Sequence, residues 1–326
     1  MRRRTFIAFC GGAVAWPLVV AAQERDRIRR IGMLTGLPEN DSEGQSLLAA
    51  FRHQLTELGW IEGQNVRTEV RWANADPERI RSYGLELARM MPDVIVVHGP
   101  RALTAVRQWT DRIPIVFASV SDPLSSGYVA SLARPGGNVT GFAVYVGVPA
   151  PKLLQMLVEV APKVRQVGLM MRPDNPGIAR QLHEMETAPV AAKSIPMLIS
   201  DPAAIAPTIA AFAQEPDRGL VVTTDVFMVA HRDVIIAEAA RHRLPAVYQD
   251  RSFVEKGGLM SYGVDRRETY RQAATYVDRI LKGAQPAELP VQQPAKTEFV
   301  LNLKTAKALN LSLSKNLLAR ADELIE

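Results

Sequence analysis

Asp225 and Asp250 each stand between a short apolar run, Leu220 to Thr223 or Ala246 to Tyr248, and a segment with helical spacing. A carboxylate just beyond the carboxyl end of a parallel strand suits a ligand's ammonium group. Thr35, Gly36, Gly99, Pro100, Ser119, Val120 and Asn175 occupy the matching places after other predicted strands. Hydroxyls and backbone amides at helix starts suit a ligand carboxylate, because unpaired N–H groups and the positive end of the helix dipole converge there. Phe227, Tyr145, Tyr248 and Tyr262 have the type and position to sandwich an apolar or aromatic ligand side chain. Position alone leaves a second reading open for each: Asp225 as a helix N-cap, the rings as packing.

Other chemistries lack their residues. The five histidines, at 53, 98, 183, 231 and 242, fall at no His-x-x-x-His or His/carboxylate spacing on one helix face, so no metal site is expected. No G-x-S-x-G elbow, Walker loop or G-x-G-x-x-G follows a predicted strand, which removes the support for a hydrolase, a nucleotidase or a dinucleotide enzyme. Neither a cofactor nor catalysis is expected. The one cysteine, Cys10, lies in the N-terminal leader, so the rest of the chain holds no thiol.

The elements that must carry these residues alternate. Strands are predicted at Ile31 to Leu34, Val66 to Trp72, Asp93 to His98 and Ile113 to Ala118, and Val139 to Val146 leads into a passage suited to a crossover between lobes. Helical faces recur between them, as in Leu47, Phe51, Leu55 and Leu58 before Gly59. Asp76-Pro77 opens another helix as N-cap and first-turn proline. Past the proline-flanked passage at Pro149 and Pro151 the alternation restarts, with strands at Val167 to Met171, Ile195 to Ile199, Leu220 to Thr223, Ala246 to Tyr248 and Leu259 to Tyr262. Asp265 and Glu268 make a capping box for a helix ending at Gly283, an extended stretch follows at Glu298 to Leu303, and a closing helix is expected from Lys315 to Ile325. Near-continuous apolar strands between amphipathic helices predict an α/β protein with two doubly wound parallel-sheet lobes.

At 326 residues, 47% apolar and 22% charged, the chain has the composition of a folded globular protein large enough for two domains. The net charge of +5 owes three positives to Arg2, Arg3 and Arg4; without them 36 basic residues face 34 acidic ones. No Lys/Arg run or aromatic-interleaved basic stripe follows residue 30, which argues against a nucleic-acid partner. Residues 1–22 combine that basic start with an apolar stretch from Phe6 to Val20 and small residues before Gln23, the layout of an export signal cleaved after Ala22. Arg3-Arg4-Thr5-Phe6-Ile7 resembles a twin-arginine signal. A periplasmic location is expected.

Several blocks, in order, carry a family resemblance. They are Glu57-Leu58-Gly59-Trp60-Ile61-Glu62-Gly63-Gln64-Asn65-Val66, Arg71-Trp72-Ala73 with Asp76-Pro77-Glu78-Arg79, Ile113-Pro114-Ile115-Val116-Phe117-Ala118-Ser119-Val120-Ser121-Asp122-Pro123, Ser131-Leu132-Ala133-Arg134-Pro135-Gly136-Gly137-Asn138-Val139-Thr140-Gly141 and Gly257-Gly258-Leu259-Met260-Ser261-Tyr262-Gly263, with Asn302-Leu303-Lys304-Thr305-Ala306-Lys307-Ala308-Leu309 in the tail. From about residue 30 to the end the chain resembles the substrate-binding proteins of ABC importers related to tryptophan-type binding proteins. The resemblance implies a type I periplasmic binding fold with three crossovers: lobe 1 from 30–145 plus 259–283, lobe 2 from 146–258 plus 294–326. It further implies a monomeric receptor that closes by hinge motion on a small, amino-acid-like or aromatic solute and delivers it to an inner-membrane ABC permease. The alternatives are a receptor serving a membrane kinase or an exported α/β enzyme. A sugar-sensing repressor would share the architecture but would begin with a DNA-reading helix-turn-helix where this chain has its leader.

Overall fold

The computed structural model describes residues 27–120, 122–143, 150–174, 178–223, 225–293 and 297–326. The leader and Asn175, Tyr145 and Thr224 fall outside them. The first sheet is built from β1 (Arg29–Thr35), β2 (Val66–Trp72), β3 (Val94–His98), β4 (Ile115–Val120) and β5 (Val139–Ala143), all parallel, in the order β2-β1-β3-β4-β5. Every residue of β3, β4 and β5 is buried, which is why these runs carry apolar side chains on both faces rather than alternating.

The second sheet runs β12-β11-β10-β9-β8-β6-β7, from β6 (Gln166–Met171), β7 (Lys193–Leu198), β8 (Arg218–Val222), β9 (Ala246–Tyr248), β10 (Met260–Val264), β11 (Thr297–Asn302) and β12 (Glu323–Ile325). Only the β10–β11 pairing is antiparallel. In both sheets the order reverses direction once, between β1 and β3 and between β6 and β8. Such reversal points open a crevice at the carboxyl ends of the strands.

Helices cover the sheets where their caps and apolar stripes demand. In α1 (Ser42–Glu57) the Asp41 carboxylate accepts from the Gly44 N–H, and Leu47, Leu48, Phe51 and Leu55 bury one face. In α2 (Pro77–Arg89) Asp76 accepts from the Glu78 and Arg79 N–H groups. Next come α3 (Pro100–Arg107), α4 (Ala150–Val160), α5 (Ile178–Glu186), α6 (Ile205–Phe212), α7 (Val226–Ala230), α8 (Arg232–Arg241), α9 (Arg251–Glu255) and α10 (Arg266–Leu281). The chain closes with α11 (Leu303–Ala308) and α12 (Lys315–Arg320).

Two sequence expectations are corrected. Residues 259–283 do not belong together to the first lobe: β10 pairs with β9 and β11 in the second sheet, whereas α10 packs on α1 and on β3, β4 and β5 of the first. The crossover therefore falls at Asp265, whose carboxylate caps α10 through the Glu268 N–H at 3.0 Å. The stretch before the third crossover also stays with the first lobe, because Ala143 donates to the Gln292 carbonyl and Val291 to that of Leu132. The closing helix stops at Arg320 instead of running to Ile325. Asp322 turns the chain outward by accepting from the Phe299 N–H, and Glu323–Ile325 then adds a strand beside β11. Replacing Asp265 by Ala is expected to cost about 1 kcal/mol of unfolding free energy, the usual loss of an N-cap, measured by urea titration.

Candidate ligand-binding cleft

The two lobes face each other with the carboxyl ends of their strands, so both reversal points open on one cleft. From the first lobe, Gly99 (φ 83°) leads into α3 with Pro100 at its first position, and Arg101 follows. From the second, Arg172 and Asp174 follow β6, and Asp225 follows β8. Between them lies a pocket of about 270 Å³ whose walls include Ile80, Pro100, Arg101, Tyr128, Asp174 and Asp225. Arg101 forms an ion pair with Asp174 across the cleft.

Asp225 stands on the second lobe's wall of this pocket. One of its oxygens accepts from the Phe227 N–H at 2.8 Å, capping α7. No salt bridge among the described residues reaches it. Burial pushes its carboxyl above the usual range, against the pull of the Phe227 N–H, Arg101 and Arg172. Asp174 behaves oppositely. Burial raises it, but the Arg172 hydrogen bond and Arg101 outweigh that and hold it below its ordinary value. Arg172 is fixed by Asp174 at 3.1 and 3.2 Å and by the Ser200 carbonyl at 2.7 Å, and its guanidinium lies 4.5 Å from the centre of the Phe227 ring. The pocket thus presents one paired and one undercompensated carboxylate beside an arginine.

The residues expected to bind ligand separate into groups. Pro100 and Asp225 line the pocket, whereas Gly36 and Gly99 face Val226 of the other lobe and are not among its lining. Thr35 is buried and its Oγ1 accepts from the Leu37 N–H. Ser119 has φ 60°, at a register shift between β4 and β5, and its buried Oγ finds no partner among the described residues; Val120 beside it is wholly buried. Phe227 is buried, with Arg172 over one ring face and His231 in an edge contact. Tyr248 is buried and stacked on Phe253 at 4.5 Å. Tyr262 packs with the second lobe's core and its hydroxyl accepts from Thr297. Asp250 is no pocket residue either: it accepts from the Ser252 N–H at 2.9 Å and pairs with Arg266 at 2.7 Å. Arg101, Asp174, Arg172 and Tyr128 were not anticipated, although Arg172 and Asp174 directly follow a predicted strand and Arg101 the predicted Gly99-Pro100 turn.

A second polar group seals the lobes beside the pocket. Asp41, the α1 cap, pairs with Arg232 of α8 at 2.6 Å, both side chains buried. Glu43, two residues on, is 2% exposed and faces Asp250, Arg266, Arg267 and Glu255. Burial first, and the Asp250 and Glu255 charges after it, push its carboxyl up to about 7, against the opposing pull of Arg266 and Arg267. A carboxyl raised on folding stabilises fully below its unfolded value near 4.5, and that contribution disappears as pH climbs to about 7. Wild-type protein is therefore expected to lose up to about 3 kcal/mol relative to Glu43→Gln between those limits, with no further divergence above pH 7. Chemical denaturation of both proteins across that range checks it.

His98 is buried at the floor of the cleft, its Nδ1 2.8 Å from the Tyr270 hydroxyl, and burial pushes it down to about 3, so it stays neutral. Among the described residues no cluster of His, Cys, Asp and Glu has the makings of a metal site, and no helix is long and apolar enough to cross a membrane.

The chain is similar to known proteins over most of its length. It is 24% identical over 265 residues to a tyrosine-binding protein of Clostridioides difficile, covering 80% of this chain and 75% of that one. The crystal structure of a conserved domain protein from Vibrio cholerae superposes with a TM-score of 0.84 at 25% identity, over 91% of this chain and all of the other. An ABC domain in complex with L-Trp from Streptococcus pneumonia superposes at 0.83 and 21% identity, over 91% of this chain and 99% of the other. Residues 42–325 match the family model for ABC transporter substrate binding proteins, and with two doubly wound lobes closing on a shared cleft the chain belongs to that family.

Proposed function

We propose that the protein is an exported receptor that captures a free amino acid between its lobes and hands it to an inner-membrane ABC permease, acting as a monomer and making or breaking no bonds. The observation that carries this reading is Asp225: a half-buried carboxylate raised by desolvation, without a salt bridge among the described residues, on the wall of an interlobe pocket whose opposite wall presents Arg101. A buried charge is tolerated where a partner neutralises it, and a ligand ammonium is such a partner. Arg101, ion-paired across the cleft with Asp174, is placed to take the ligand carboxylate, while Arg172 keeps Asp174 and the ammonium falls to Asp225. The tyrosine and L-Trp named for two similar proteins support the same cargo class.

Closure then follows from contacts that exist only when both lobes are engaged, so a zwitterion held from both sides shifts the population toward the closed form. An aromatic cargo would lie beside Tyr128, the one ring on the pocket wall among the described residues, since Phe227 lies under Arg172 and Tyr248 is stacked on Phe253. Calorimetric titration with L-tyrosine, L-tryptophan and the other proteinogenic amino acids, each beside its analogue lacking the α-amino group, tests the reading. Binding of an amino acid and its loss in the deaminated analogue is expected; equal binding of the two would refute it.

A further inference from the structure

Val226, the first residue of α7, reaches from the second lobe into the first. A Cβ built on Gly36 would lie 2.6 Å from its Cγ1, and one on Gly99 would lie 3.5 Å from its Cγ2. Val226 therefore fills the notch between the loops that follow β1 and β3. Val226 Cβ follows at 3.6 Å, and the nearest atom from the first lobe itself is Ile80 Cδ1 at 3.9 Å, a residue that lines the pocket with Asp225. Gly36 is not among the residues with positive φ. Its backbone would accept alanine, and nothing in its own lobe would obstruct the added methyl group. The only demand for glycine comes from across the cleft.

We infer that Val226 is a positioning residue for capture: seated against Gly36, it sets the limit to which the two lobes close. The open form makes no such demand, so substitution at 36 acts on closure rather than on folding. An overpacked contact of this kind disfavours the closed form by about tenfold or more. The inference rests on the lobes meeting as they do here and is independent of what the cargo is.

The test uses the full chain with Cys10→Ser, Arg101→Cys and Asp174→Cys, so that a short bifunctional maleimide joins the lobes only as they close. In this parent, Gly36→Ala is expected to slow cross-linking about tenfold or more, and adding Val226→Ala is expected to restore the parent rate, with thermal midpoints unchanged throughout. Val226→Phe approaches the same joint from the other side and is expected to slow cross-linking with Gly36 intact. Parent-rate cross-linking in Gly36→Ala, or slowing that Val226→Ala does not relieve, would overturn the inference. Because no ligand is added, failure here is distinguishable from failure of the amino-acid reading, which calorimetry decides.

Discussion

Asp225→Asn is expected to weaken amino-acid binding by roughly thirtyfold at the least while leaving the fold intact. Removing one member of a buried, hydrogen-bonded charge pair costs about 2–5 kcal/mol, because the other charge is left without its counterpart. Asn fills the same space and caps a helix as well as Asp, so the hydrogen bond to the Phe227 N–H survives and α7 keeps its start. The substitution thus isolates charge from shape. Asp225→Ala removes both and is expected to lose about 1 kcal/mol of stability in addition. Calorimetry on the two variants, with urea unfolding as the control for folding, separates the contributions. Wild-type affinity in Asp225→Asn would remove Asp225 from the binding account.

The second large effect concerns the hinge side of the cleft. Arg266→Ala is expected to lower unfolding free energy by about 3–5 kcal/mol, because it leaves Asp250 ionised, buried and facing Glu43. Asp250 is 3% exposed; burial opposes its charge, and Arg266 together with the Ser252 donors holds its carboxyl below the ordinary value. The double variant Asp250→Asn/Arg266→Met is expected to recover most of the loss, since removing both charges removes the desolvation cost along with the attraction. Equilibrium denaturation of the three proteins decides the matter. A cost under about 1 kcal/mol for Arg266→Ala would mean that water reaches Asp250 and that the lobes do not seal there.

Asp225 and Asp250 also show where sequence reasoning reaches its limit. Both follow a short apolar strand, precede a short helix and cap it through the N–H two residues on. Locally they are equivalents. What separates them is a guanidinium brought from α10, which neutralises Asp250 and leaves Asp225 to the pocket. That arrangement depends on tertiary packing and has no periodicity to read. The same holds for Arg101 and Asp174, 73 positions apart, and for Val226, whose partner Gly36 looks like an ordinary turn residue until the second lobe is set against it.

Features decided within a few residues were legible. The apolar run before Gly99 is the buried β3, Ala246–Tyr248 is a strand with those limits, and Asp76 and Asp265 cap the helices expected of them. The lobe to which Leu259–Tyr262 belongs was not, because strand pairing is chosen at long range and either sheet could have accepted an apolar run of that length. Five residues, 321–325, are too few to distinguish the two periods, and here pairing with β11 decides for a strand, begun by the reciprocal Asp322–Phe299 hydrogen bonds.

The central claim is that a free amino acid is held between the lobes by Asp225. Native mass spectrometry of wild-type protein and Asp225→Asn, each incubated with an equimolar mixture of the twenty L-amino acids, tests it most directly. The expected result is one adduct on the wild type with the mass of an amino acid, absent or strongly reduced on the variant. No adduct on the wild type, or equal retention by both proteins, would contradict it.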